Sequence, residues 1–264
     1  MKGIKAVLLD MDGTVFRGRT AIKGAAKALD RLRGSGVKIF FLTNSSTRTR
    51  KSNMEKLNAI GLHASEGEVF GSAYMVADYI ATKHPGRKVF CISEGGMQEE
   101  LAGKGVKVVQ DDSADIIAVG LDRTLNYEKL AIAFKAISRG ALFIASNEDI
   151  SFPVEDGFLP GAGAMVAAVE RSTGKKPVVL GKPNRYGVEL LLRENGLKKS
   201  EALMVGDRIE TDILTGKHAG VRSVLVLTGA SKKADIKRLR ERERPDFVIE
   251  SVAKLPELIS RLES

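Results

Sequence analysis

Apolar residues along this chain come in two rhythms. Short unbroken runs such as Ala6-Val-Leu-Leu9 are bounded by polar residues, and longer stretches place an apolar residue every third or fourth position. An unbroken run suits a parallel strand covered on both faces, and the wider spacing suits a helix with one buried stripe. Ile22, Ala25, Ala26, Leu29 and Leu32 fall at helical spacing, and Gly34 and Gly36 stop the run. Residues 37–42 read as the next strand, which completes a strand–helix–strand crossover. A helix is expected over 48–60 and a strand end near 69–72. Toward the other terminus the pattern predicts strands at 178–180, 202–205, 223–227 and 247–249. Helices are predicted there at 186–195 and, amphipathic, at 252–262.

The stretch between Thr43 and Lys182 is far longer than one crossover needs, and it carries its own elements. Strands are expected at 89–92, 106–109, 116–119 and 142–145, and helices at 99–102, 127–138 and 162–171. The expected fold is α/β: a doubly wound, Rossmann-like parallel-sheet core formed by 1–80 plus 177–264, with an inserted α/β domain at 81–176. No repeat of fixed period is present.

Composition changes this picture little. At 264 residues the chain has ample length for a large core or two modest ones. No apolar stretch reaches the roughly 18 residues of a spanning helix, so no membrane partner is expected. Met1-Lys-Gly-Ile leads into the first strand without a signal-type apolar region, which gives a cytoplasmic expectation. The one cysteine, Cys91, cannot form an internal disulfide and lies in an apolar run, so it reads as a core thiol. His63, His84 and His218 are scattered without metal-ligand spacing. The net charge of +9 raises nucleic acid as a partner. Residues 232–244 hold seven basic and three acidic side chains, but Ala234, Ile236 and Leu239 are interleaved as in an amphipathic helix, so a solvated helix face is expected.

The chemistry gathers after the predicted strands. Asp10 and Asp12 follow the first strand, with the flexible Gly13 next. A bare Asp-x-Asp-Gly is also an ordinary turn. Two carboxylates this close repel unless a cation or a shared proton compensates, and a divalent metal is the natural remedy. Thr43 and Asn44 follow the second strand, Lys182 follows the strand at 178–180, and Asp207 and Asp212 follow the strand at 202–205. In open α/β sheets ligands bind beyond the carboxyl ends of the strands. These four clusters together describe a phosphoryl-transfer site. Mg²⁺ suits Asp10 and Asp207, while Lys182 and the Thr43 hydroxyl can stabilise charge on the transferring oxygens.

Four motifs in order, Asp-Met-Asp-Gly-Thr at 10–14, Thr43-Asn44, Lys182 in Gly-Lys-Pro-Asn, and Gly-Asp-Arg-x-x-Thr-Asp at 206–212, resemble those of the haloacid dehalogenase-like (HAD) phosphohydrolases. The insert between the second and third motifs, with Ala145-Ser-Asn-Glu-Asp149 and Leu159-Pro-Gly-Ala-Gly163, is similar to the subfamily IIA branch of nitrophenyl and phosphoglycolate phosphatases. The resemblance implies a Mg²⁺-dependent phosphomonoesterase for small phosphorylated metabolites. Asp10 is then the nucleophile that forms an aspartyl-phosphate, and Asp12 is the acid and base. Gly13, Thr43, Asn44 and Lys182 bind the phosphoryl group. The metal is held by Asp10, the Asp12 carbonyl and Asp207, with Asp212 as a ligand through water or an anchor.

The insert is then a cap that governs which leaving group enters, with Asn147 and Asp149 as the candidate contacts; a structural loop is the competing reading. A phosphotransferase or mutase using the same phosphoenzyme is the alternative activity. A nucleic-acid-binding protein with a vestigial phosphatase fold is a further one, against which the intact motifs argue. Pairing of two copies into a homodimer stays open. Gly161-Ala-Gly-Ala-Met-Val166 lacks the third glycine of a dinucleotide fingerprint and follows no clear strand, and Gly181-Lys182 lacks the remainder of a P-loop. Neither NAD nor ATP is called for.

Overall fold

A computed structural model describes residues 3–154 and 156–263. Met1 and Lys2, which open the segment expected to run into the first strand, lie outside the described residues. The chain forms two compact units. The first comprises Met1–Thr43, Asn53–Phe70 and Lys182–Ser264, and the second comprises Asn44–Ser52 and Gly71–Gly181. The expected insert at 81–176 lies inside the second unit, which also takes in the segment after Thr43 and a helix at Ser72–Lys83.

The first unit is built on a six-stranded sheet in the order Phe247–Ile249, Arg222–Val226, Ala202–Gly206, Ala6–Leu9, Lys38–Thr43, Val69–Gly71. Ala6–Leu9 is central and wholly buried, as its unbroken apolar run requires. It pairs in parallel on both sides, with Leu9 opposite Val205 and opposite Phe41. That register brings Asp10, Thr43 and Asp207 out at one carboxyl edge. The helices Ala25–Gly34 and Leu255–Glu263 cover one face through Leu29, Leu32, Leu255 and Ile259, which pack with Val7, Leu9 and Val205. Each such side chain contributes about 1.5–3 kcal/mol on burial.

The second unit repeats the architecture on a smaller scale. Its four parallel strands run in the order Val178–Val179, Leu142–Ala145, Ile116–Val119, Val89–Ile92. The helices Tyr127–Ser138 and Ala162–Thr173 pack Ala133, Ile137, Val166 and Val169 onto Phe90, Ile117 and Phe143. A hairpin, Ser151–Val154 with Gly157–Pro160, precedes the second of these helices. Among the described residues no helix is long and apolar enough to cross a membrane.

Several local expectations change. Residues 106–109 form no strand; Val108 makes one bridge to Val89, between the exposed Lys107 and the half-buried Val109. Val178–Val179 pairs with Leu142–Ala145 instead of joining the core sheet. The basic segment forms only a four-residue helix, Lys233–Ile236, and one tight turn at Glu241–Glu243. Ile236 and Leu239 pack on Ile209, Ile213 and Leu225, but Ala234 is exposed, so the apolar stripe is too narrow to hold a longer helix. Gly161 does follow a strand, Gly157–Pro160, and leads into the Ala162–Thr173 helix, although the third glycine is still absent. Cys91 is buried, and burial pushes its thiol up to about 12.

Candidate active site

At the carboxyl edge of the first sheet, carboxylate oxygens of Asp10, Asp207 and Asp212 lie within 4.8 Å of one another. Lys182 reaches this group from the start of the returning chain. Its Nζ donates to Asp10 Oδ1 and, at 2.6 Å, to Asp212 Oδ1. Lys182 and Asp212 are buried, and Asp10 keeps 14% of its side-chain surface.

The backbone fixes the carboxylates in turn. Asp212 Oδ2 accepts from the Arg208 amide at 3.0 Å, across a widened helical turn at Ile209–Ile213. Turns of this kind recur at functional sites because they re-aim a side chain. Asp207 accepts from the Ala230 amide at 2.7 Å and from the Thr14 hydroxyl at 3.4 Å. The Thr228 hydroxyl donates to the Gly13 carbonyl at 2.6 Å. Glycines make this crowding sterically feasible. A Cβ on Gly229 would stand 1.9 Å from Asp207 Oδ2, and one on Gly206 would stand 2.2 Å from Asp212. Gly13, at φ +87°, combines the left-handed conformation with a similar approach to Asp207.

Burial is the main cause that lifts Asp10 to about 8; Lys182 opposes it, while Asp212 and Asp207 add to it. Asp207 is raised too, by burial and then by Asp212. Burial would lower Lys182, but Asp10 and Asp212 outweigh it, so the ammonium stays protonated. Three carboxylates thus gather beside the Lys182 ammonium, which bonds to two of them. Their all-oxygen donor set and their spacing, comparable to the roughly 4.2 Å across an octahedron of 2.1 Å bonds, fit a small hard divalent ion. The carboxylate of Asp12 stands outside this trio. Burial raises its pKa against the opposing charges of Lys56, Arg17 and Arg208.

Thr43 closes its strand in the first unit, whereas Asn44, Asn147 and Asp149 belong to the second. There the Asn44 side-chain amide donates to Asp149 Oδ1 at 3.0 Å, and Asn147 Nδ2 donates to the Asn44 carbonyl at 2.8 Å. Asn147 Oδ1 also accepts from the Asp149 amide at 3.0 Å. Asn147 is 2% exposed, and these bonds lie within its own unit. Thr14 and Gly206, quoted only as parts of their motifs, join the site, and Thr228, Gly229 and Ala230 join it without having been picked out from the sequence. Gly229 and Ala230 sit just after the strand Arg222–Val226, so the rule that found Asp207 could have found them.

A family model for haloacid dehalogenase-like hydrolases matches residues 7–107, and a second HAD-hydrolase-like model matches 179–255. An acid sugar phosphatase of Staphylococcus epidermidis is 41% identical over 89% of this chain and 91% of its own length. One from Staphylococcus aureus is 40% identical over the same shares. Among solved structures, a p-nitrophenyl phosphatase from Archaeoglobus fulgidus is 36% identical, with a TM-score of 0.91 over 97% of this chain and 99% of that one. A 4-nitrophenylphosphatase from Thermotoga maritima is 32% identical, with a TM-score of 0.91 over 97% of each chain. With the motifs, the edge geometry and these relatives in agreement, the chain belongs to the haloacid dehalogenase-like hydrolases, as a phosphatase of the nitrophenyl phosphatase-like subfamily IIA.

Proposed function

We propose that this phosphatase is a Mg²⁺-dependent phosphomonoesterase of small phosphorylated metabolites, sugar phosphates foremost, working through an aspartyl-phosphate on Asp10. The observation that carries this reading is the Asp10 carboxylate held by the buried Lys182 ammonium beside Asp207 and Asp212. Asp10, Asp207 and, directly or through water, Asp212 would hold the ion, with the Asp12 carbonyl. When bound, Mg²⁺ neutralises charge between the attacking carboxylate and the phosphate dianion and favours the ionised form of Asp10.

A carboxylate oxygen of Asp10 attacks phosphorus while the bond to the ester oxygen breaks, and Asp12 delivers a proton to that leaving oxygen. Its upward shift on burial supports the acid role. Asp12, now a carboxylate, takes a proton from water as the water attacks phosphorus, so inorganic phosphate leaves and Asp10 is restored. Lys182 holds Asp10 in place and offers positive charge to the transferring group, and the Thr43 hydroxyl donates to a phosphoryl oxygen. The sugar-phosphate preference rests on the names of the acid sugar phosphatases to which the chain is similar. A cytoplasmic setting agrees with one buried, unpaired thiol.

The test is phosphate release from an aryl phosphate and a panel of sugar phosphates, with Mg²⁺ or with a chelator, in wild type and Asp10→Asn. Release that needs Mg²⁺ and vanishes in the variant is expected. Equal release from the two proteins would reject Asp10 as nucleophile, and predominant transfer to an added alcohol would make the protein a phosphotransferase.

A further inference from the structure

In a parallel α/β sheet the carboxyl edge is where a ligand normally sits. In the second unit that edge is filled by the unit's own segment from Asn44 onward, which reaches the loop after each of the four strands. After Val178–Val179, a Cβ on Gly181 would stand 2.7 Å from Asn44 Oδ1. Following Leu142–Ala145, the Asn147 amide donates to the Asn44 carbonyl at 2.8 Å. Beyond Ile116–Val119, the Leu121 amide donates to Ser46 Oγ at 3.0 Å, and a Cβ on Gly120 would stand 2.8 Å from that oxygen. Past Val89–Ile92, a Cβ on Gly96 would stand 2.5 Å from the Thr47 carbonyl and the Arg48 amide. These approaches pack the segment closely against the loop after each of the four strands.

The grip is tightest on one residue. The Asn44 carbonyl accepts from Asn147 Nδ2 and also from the Ser72 hydroxyl at 2.7 Å, while the Asn44 side chain donates to Asp149. Asn147 and Ser72 are both buried. Asn44 is bonded directly to Thr43, the last residue of its strand in the first sheet, so holding Asn44 at both its side chain and its carbonyl, which belongs to the Asn44–Ser45 peptide, anchors the residue that follows Thr43.

We propose that Asn147 is a positioning residue, which with Ser72 holds the Asn44 carbonyl and thereby sets the Thr43 hydroxyl at the angle the phosphoryl group requires. This role rests on the reading, given above, of the Thr43 hydroxyl as a hydrogen-bond donor to the phosphoryl group. It replaces leaving-group recognition as the task of Asn147.

The test is a double-mutant cycle of Asn147→Ala with Thr43→Ala, read by kcat/KM on an aryl phosphate, by competitive inhibition with inorganic phosphate, and by half-activation with Mg²⁺. Asn147→Ala is expected to lower kcat/KM about tenfold and to weaken phosphate inhibition by a similar factor, as for one lost buried donor, with Mg²⁺ half-activation unmoved. In the Thr43→Ala background the same change should cost less than about twofold, because the group being positioned is gone. Fully multiplicative losses, unchanged phosphate inhibition or a shifted Mg²⁺ half-activation would each overturn the proposal. Should Asn147→Ala not fold, Ser72→Ala takes its place in the cycle with the same criteria. An active wild type silenced by Asp10→Asn keeps the phosphatase reading whatever the cycle returns, so the two failures are distinguishable.

Discussion

The two parallel sheets end in different kinds of edge. In the first unit, Asp10 meets Asp207 and Asp212 in burial, and its carboxyl is pushed up to about 8. In the second unit, Asp122, just beyond Ile116–Val119, is also buried, with 1% of its side chain exposed. It pairs with Lys129 at 2.7 Å and accepts from the Thr124 amide and hydroxyl at 2.9 and 2.7 Å. Burial raises its pKa, but these bonds outweigh burial, and it ends below its ordinary value. One edge thus holds carboxylates in conflict, the other carboxylates in agreement. Unrelieved repulsion marks the edge that gains from a cation and a substrate; a satisfied network marks the edge that only holds shape.

The comparison is broken most severely at Lys182. Lys182→Met removes the ammonium that bonds to Asp10 and Asp212 and leaves these buried carboxylates without it. At pH 7, without added metal, stability should fall by about 3–5 kcal/mol, as when one member of a buried ion pair is lost. Phosphate release should drop by about 10³-fold or more, since electrostatic support for the transferring group goes with it. Denaturant unfolding with and without Mg²⁺ checks this, and the ion should recover part of the stability. No recovery would mean that the carboxylates are not the ion's site.

Next come the glycines that press on each edge. Gly229→Ala would place a methyl 1.9 Å from Asp207, and Gly181→Ala would place one 2.3 Å from the Ser146 carbonyl. Each should destabilise by about 2–3 kcal/mol, the range for overpacking a filled site. Their kinetics should part company. Gly229→Ala should raise the Mg²⁺ concentration for half-activation, whereas Gly181→Ala should weaken inhibition by phosphate and leave Mg²⁺ unaffected. The same shift in both variants would erase the distinction between the edges.

How much of this the sequence reveals follows the same division. Asp10, Lys182, Asp207 and Asp212 were legible because each is a charged residue placed just after an apolar strand run. Gly229 and Ala230 carry no charge, and their part in the site exists only through an oxygen of Asp207, more than twenty residues away. The helix Ser72–Lys83 was missed because it is buried almost all round, so no polar stripe reveals its period. The reverse holds at 232–244, where helical spacing is present but too little apolar surface is available to hold a helix. Nor could spacing show that Asn147 spends its amide on Asn44.

A smaller effect separates the edges by pH. For Asp122 the folded pKa lies below the unfolded one, so its contribution is complete above the ordinary carboxylate range and disappears as pH falls through the folded value. Asp122→Asn should therefore destabilise by about 1.5 kcal/mol at pH 7, the worth of a charge-assisted bond, and by progressively less toward strong acid. Asp10→Asn should run the other way. A carboxylate whose pKa is raised opposes folding when ionised, so without metal this variant should gain stability over wild type as pH rises past the ordinary carboxylate range toward 8. Parallel pH profiles for the two variants would contradict the contrast between the edges.

The smallest effect asks whether the asymmetry is confined to the edges. Gly34 ends the helix Ala25–Gly34 in the first unit and Gly103 ends Gly95–Gly103 in the second; both are exposed, and an added Cβ at either would meet nothing within 4 Å. Neither has a positive φ, so alanine is tolerated in place and restricts only the unfolded chain. Gly34→Ala and Gly103→Ala should each stabilise by about 0.5 kcal/mol, less than a mid-helix position would give because the last turn frays. Activity should not change in either. Equal small gains, read as matched rises in Tm, would place the difference between the units at their sheet edges alone; a loss at Gly103 without one at Gly34 would show that the second unit is strained away from its edge as well.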